Sequence, residues 1–102
     1  MKSILVTGGC GFIGSHTTQI LLENNFNVII LDSLYASSSM VIDNLKKIGL
    51  INRKNYSKNL TFFEGDIRDE SLLEKIFFKA KKANKPIDAV FHFAGLKSIA
   101  ES

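Results

Sequence analysis

One cysteine, one proline, no tryptophan and two tyrosines stand among the 102 residues. Each scarcity closes a route. Cys10 alone cannot close a disulfide within the chain, and no Cys/His spacing resembles a metal site, which fits a reducing, cytoplasmic home. Pro86 is the only proline, and without repeats or low-complexity linkers nothing divides the chain into two domains. Long apolar runs are missing too. The first one, Ile4-Leu5-Val6, is too short for a signal-peptide core or a membrane span, so no membrane partner is expected. A large charge excess is also absent: 13 basic against 10 acidic residues give a formal net charge of +3, too little to indicate a nucleic-acid partner. The densest basic cluster, Lys79, Lys81, Lys82 and Lys85, reads as a solvated helix end.

What remains, 45% hydrophobic and 23% charged residues, is the composition of a globular domain. Ile4 to Val6 reads as a buried strand stopped by Thr7-Gly8-Gly9. A helix starts near Ile13, with Ile13, Thr17, Ile20 and Leu21 at helical spacing and Asn24-Asn25 as its stop. Val28 to Leu31 is a β-branched strand ending at Asp32. A second helix runs from Ser37–Ser39 through Val41, Leu45 and Ile48, with Gly49 as its stop, and 52–59 is loop. Leu60 to Phe63 is a third strand ending at Gly65-Asp66. Ser71 and Glu74 fit a capping box for a third helix that buries Leu72, Leu73, Ile76, Phe77 and Ala80. Ala89 to Phe93 is a fourth strand. Strict alternation predicts an α/β fold: a Rossmann-type doubly wound parallel sheet, strand order 3-2-1-4, as its N-terminal half only, with about four strands and three helices. Residues 1–102 are thus expected to be one incomplete domain, with one edge of the fourth strand unpaired.

The chemistry starts in the loop Thr7-Gly8-Gly9-Cys10-Gly11-Phe12-Ile13-Gly14. Gly8 permits the tight turn, Gly11 lets backbone approach a pyrophosphate, and Gly14 lets the helix pack close to the strand. The helix N-terminus then faces the phosphates, and no lysine is needed. The loop ends Gly14-Ser15-His16, not Gly-Lys-Ser, so it is not a nucleotide triphosphatase P-loop. Asp32 stands where an acidic residue takes the ribose hydroxyls of NAD, and Ser33 beside it is no arginine for a 2′-phosphate, so NAD is expected over NADP. Asp32 also reads as an ordinary strand end or helix cap. Asp66 can reach the adenine amino group with Ile67 over the ring face, or it satisfies backbone groups of its own turn. Phe93-Ala94-Gly95-Leu96-Lys97 offers small residues to the second phosphate and the nicotinamide ribose; Lys97 adds a charged contact or is a plain loop lysine. His16, on a helix, and His92, in an apolar strand, read as structural.

The glycine loop resembles that of the extended short-chain dehydrogenase/reductase family. Ile30-Leu31-Asp32-Ser33-Leu34, Glu64-Gly65-Asp66-Ile67-Arg68 and His92-Phe93-Ala94-Gly95-Leu96-Lys97 running on to Ala100-Glu101-Ser102 narrow the resemblance to the branch of nucleotide-sugar 4-epimerases. The glycine loop alone is shared with dehydratases and decarboxylases. The resemblance implies that NAD touches Phe12, Ile13, Asp32, Ser33, Leu34, Tyr35, Ala36, Ser37, Asp66, Ile67, Phe93, Ala94, Gly95, Leu96 and Lys97. It further implies that NAD takes hydride from C4 of a UDP-sugar and returns it to the other face of the 4-keto sugar, in an enzyme that is a homodimer. A tyrosine with a lysine four residues on does the acid-base work in the family. Here Tyr35 and Tyr56 are followed at that distance by Ser39 and Leu60. No catalytic residue is therefore assigned, and the pair is expected beyond Ser102. A stand-alone dinucleotide module without catalysis, a gene remnant, and a fragment of another nucleotide-sugar dehydratase or decarboxylase stay open as alternatives.

Overall fold

A computed structural model describes residues 2–34, 40–51 and 56–93. Strands β1 (Ser3–Thr7), β2 (Asn27–Asp32), β3 (Leu60–Glu64) and β4 (Ile87–His92) form one parallel sheet in the order β3-β2-β1-β4. Helices α1 (Phe12–Glu23), α2 (Met40–Ile51) and α3 (Glu70–Lys82) connect them, and a single 3-10 turn, Tyr56–Lys58, precedes β3. The expected order and alternation hold.

Register explains the two layers of core. Val6 lies beside Ile30 and Phe91, and Leu5 beside Ile29 and Val90, so alternate residues of neighbouring strands share a face. Ile4, Val6, Val28 and Ile30 pack with Leu22 of α1, Ile42 and Leu45 of α2, and Tyr56. On the opposite face Leu5, Ile29 and Leu31 pack with Ile76 and Ala80 of α3. β1 and β2 are buried along their whole length because helices cover both faces.

Five details depart from the sequence reading. The inward face of α1 is Gly14, Thr18 and Leu22, while Ile13 and Ile20 are 55% and 58% exposed. Its smallest residue turns inward because only glycine fits there. α2 runs through Gly49, since a glycine ends a helix only in the left-handed conformation and Gly8 is the glycine with positive φ among the described residues. α3 is capped by Asp69, whose Oδ1 accepts from the Leu72 amide at 3.1 Å, rather than by Ser71. Phe77, expected inside, is 42% exposed, and Lys79 sits 5.7 Å above the Phe63 ring instead of being merely solvated.

The helix stop at Asn24-Asn25 has a clear geometry. Asn25 takes φ 66° while its amide donates to the Leu22 carbonyl and that of Phe26 to the Leu21 carbonyl. Asn84, at φ 60°, ends α3 with the same pair of bonds, Asn84 to Lys81 and Lys85 to Ala80. β4 differs from its neighbours. It is as apolar as β1 and β2, yet Val90 and Phe91, on opposite faces, are 48% and 42% exposed.

Candidate functional site

The carboxyl ends of all four strands are tied at one level. The Gly8 amide donates to the Leu31 carbonyl at 2.8 Å, Gly65 to Asp32 at 3.0 Å, and Phe93 to Thr7 at 2.9 Å. The three loops that carry the expected site residues therefore leave from a common edge. Between β1 and β4 the chain order reverses, which is where ligands settle on sheets of this type. Thr7 and His92 pair across that junction, Oγ1 to Nδ1 at 2.6 Å, which gives His92 a partner within the sheet.

The four glycines of the loop have different physical roles. Gly8 takes φ 72°, open to glycine at no steric cost. A Cβ on Gly14 would lie 2.2 Å from the Gly8 carbonyl oxygen and 2.8 Å from the Gly9 Cα, both backbone atoms. The close approach is thus between helix and loop, not helix and strand. On Gly9 a Cβ would meet the Ile30 side chain at 2.7 Å. Ile30 is fully buried and β-branched, so it cannot move aside. On Gly11 the nearest atom would be 3.4 Å away, an ordinary contact, so the protein itself does not demand glycine there. Open space at Gly11 is available to something from outside.

That space adjoins the start of α1, which has no side-chain cap and no acidic residue in its first turn. α3, by contrast, has both. The first amides of a helix lack intrahelical acceptors and carry the positive end of its dipole, so the start of α1 favours an anion. Ile13 and Gly14 lie in this turn; Phe12 opens it.

Asp32 joins two loops. It is buried, with Oδ2 accepting from the Cys10 amide at 2.9 Å and Oδ1 from the Leu34 amide at 2.8 Å. Leu34 takes φ 61°, a left-handed backbone uncommon for a branched side chain, and the Asp32 bond helps to hold it. A carboxylate offers about four acceptor sites, so these amides and a ribose diol do not exclude one another. At the end of its strand Asp32 caps the turn that follows and ties it to the glycine loop. Ser33 is exposed beside it.

Cys10 and Gly9 are the residues that sequence reasoning passed over. Cys10 is the only side chain between Gly8 and Gly11, and it enters the core with Val6 and Ile30. The signal was there: a lone apolar residue among turn glycines has to point inward. Burial, and then the Asp32 charge, push its thiol up to about 12 from the ordinary 9.0. The sign follows directly. Protons are held more tightly in the folded state, so this thiol favours folding below pH 9.0 and loses that contribution as pH rises towards 12. We expect Cys10 to resist disulfide-exchange reagents at about pH 8 in the native protein and to react fully in denaturant. Prompt native labelling, followed by absorbance of the released thiol, would contradict its burial.

Asp66 and Ile67 stand after β3, Asp66 with its carboxylate gripped by Arg68 (Nη2 to Oδ2, 2.8 Å). Hydrogen bonds from the Arg68 side chain and amide hold that carboxyl down at about 2. Ile67 is half-buried against the core on the α3 side. Phe93 stacks on Phe91 with ring centroids 6.3 Å apart. Tyr35, Ala36, Ser37, Ala94, Gly95, Leu96 and Lys97 lie outside the described residues.

This arrangement has well-defined relatives. Residues 5–102 match the family described as GDP-mannose 4,6 dehydratase. UDP-glucose 4-epimerase of Neisseria meningitidis is 47% identical over 102 residues, the whole of this chain and 26% of that protein. Among solved structures, UDP-glucose 4-epimerase from Stenotrophomonas maltophila, with bound NAD and formylated UDP-arabinopyranose, superposes with a TM-score of 0.78 at 36% identity. That match covers 100% of this chain and 27% of the other. The enzyme from Bifidobacterium longum in complex with NAD+ and UDP gives 0.76 at 36% identity, over 98% of this chain and 28% of that one. The chain thus spans about a quarter of the length of these relatives, their N-terminal part. With its glycine loop, sheet order and near-complete match, the chain belongs to the GDP-mannose 4,6 dehydratase family, and within it is similar to the N-terminal quarter of UDP-glucose 4-epimerases.

Proposed function

We propose that this chain is the NAD-binding N-terminal portion of a UDP-glucose/UDP-galactose 4-epimerase. The observation that supports the reading is the bond from the Cys10 amide to Asp32: a buried carboxylate stands directly beside the glycine turn, the juxtaposition that a ribose diol next to a pyrophosphate calls for. Gly8 and Gly11 admit the pyrophosphate to the start of α1, with Phe12, Ile13 and Gly14 supplying amides. Asp32 takes the adenosine ribose, with Ser33, Leu34, Tyr35, Ala36 and Ser37 alongside. Asp66 and Ile67 take the adenine, and Phe93, Ala94, Gly95, Leu96 and Lys97 the nicotinamide half. NAD, when bound, supplies reversible hydride transfer at its nicotinamide ring. The residues of this chain bind and orient it.

Residues 1–102 then form the front of a larger sheet. The exposure of Val90 and Phe91 on both faces of β4 supports this, since strands of that composition are normally covered. The full enzyme is read as a cytoplasmic homodimer acting on UDP-sugars, with no membrane or nucleic-acid partner. No described helix is long and apolar enough to cross a membrane.

Calorimetric titration with NAD and NADP tests the binding. Saturable binding of NAD, tighter than that of NADP, is expected, because a 2′-phosphate meets the Asp32 charge. Failure of both to bind overturns the reading. The sugar chemistry is tested in the coding sequence: a Tyr-x-x-x-Lys segment in frame after Ser102 supports it, and a stop codon with no such segment rejects turnover by this polypeptide.

A further inference from the structure

Arg68 makes an unusual investment in one neighbour. Its Nη2 donates to Asp66 Oδ2 at 2.8 Å, its Nε lies 3.1 Å from Oδ1 and 3.3 Å from Oδ2, and its backbone amide donates to Oδ1 at 2.9 Å. The two side chains are 87% and 46% exposed, so the pair lies on open surface at the sheet's carboxyl edge. Exposed ion pairs contribute little to stability. Three donors from one residue do, however, fix something that is otherwise loose, because the terminal torsion of an aspartate is broad and roughly two-fold. The plane of the carboxylate is set before any ligand arrives.

We infer that Arg68 is a positioning residue that makes Asp66 selective for a 6-amino purine over a 6-oxo purine. The inference rests on the reading of this edge as a dinucleotide site with Asp66 at the adenine. An ionised carboxylate only accepts hydrogen bonds, so it welcomes the adenine amino group and repels the O6 of hypoxanthine, which is also an acceptor. That discrimination works only while the oxygens stay aimed and charged. Pinning by a planar fork supplies the aim. An aspartate is ionised at neutral pH with or without Arg68, so what Arg68 adds is the aim. Ile67 next to it packs against the core and adds no competing polar group.

The protein is titrated by calorimetry with NAD and with nicotinamide hypoxanthine dinucleotide, which carries a carbonyl oxygen in place of the amino group and a hydrogen on the neighbouring N1. The natural sequence is expected to prefer NAD by about tenfold or more. Arg68→Met keeps the apolar stem and removes the fork; the preference is expected to fall to about threefold or less with the thermal midpoint unchanged. Arg68→Lys restores charge without the fork and is expected to behave like Arg68→Met. In an Asp66→Ala background Arg68→Met is expected to change the preference no further, which a residue acting independently of Asp66 would not show. An undiminished preference in Arg68→Met or in Arg68→Lys overturns the proposal. Equal binding of the two dinucleotides by the natural sequence overturns it while leaving the dinucleotide site standing; binding of neither removes both.

Discussion

Gly14→Ala is expected to destabilise the protein by about 3 kcal/mol and to weaken NAD binding about a hundredfold, whereas Gly11→Ala leaves stability unchanged and loses only the binding. The two glycines are indistinguishable by residue type. A methyl on Gly14 would have to share space with the Gly8 carbonyl at 2.2 Å and the Gly9 Cα at 2.8 Å. Neither can rotate away, so α1 must lift from the loop, and the Asp32 to Cys10 bond that ties the loop to β2 is strained with it. At Gly11 the same methyl meets nothing closer than 3.4 Å. It would only occupy the room that a pyrophosphate needs. Thermal unfolding and NAD titration of both variants check the contrast. Equal stability losses would show that Gly11 is also required by the fold, and unchanged binding in Gly11→Ala would remove the pyrophosphate from this loop.

Asp32→Ala is the second large effect, and it acts twice. Without ligand, it leaves the amides of Cys10 and Leu34 without their acceptor; hydrogen bonds to a charged group are worth about 1.5–3 kcal/mol each, so a loss of about 3 kcal/mol is expected. Leu34 also loses the bond that helps hold it at φ 61°. With ligand, the ribose acceptor is gone and so is the charge that repels a 2′-phosphate. NAD affinity should fall about a hundredfold while NADP affinity falls less, narrowing the gap between them. Asp32→Asn is expected to fall between, since its NH2 must face one of two amide donors. Stability measured without ligand separates the two roles. An Asp32→Ala variant as stable as the natural protein would mean that the carboxylate serves the ligand alone.

Much of this was legible along the chain. Four apolar strands bounded by Gly8, Asp32, Gly65 and Phe93, with three helical segments between them, lead to one sheet order because parallel neighbours need crossovers of one hand. Asp32 and Asp66 could be placed at one edge of the sheet for the same reason, since the carboxyl ends of parallel strands lie together. Local signals failed where tertiary contact overrode them. Ile13 and Ile20 have the spacing of a buried stripe, yet Gly14, Thr18 and Leu22 face the sheet because the loop admits no side chain at position 14. Ser71 and Glu74 have the spacing of a capping box, but the chain enters α3 two residues earlier, at Asp69.

The alternation, the parallel sheet and the glycine turn follow from the order of residues alone, because apolar period and glycine placement act over a few residues and need no distant partner. Which glycine each contact requires, that Cys10 enters the core, that Asp32 ties two loops and that Arg68 holds Asp66 emerge once the chain is folded. Those depend on atoms brought together from separate segments or turned by a local bend, and a nearest contact of 2.2 Å at Gly14 or 2.7 Å at Gly9 against 3.4 Å at Gly11 separates a required glycine from a tolerated one.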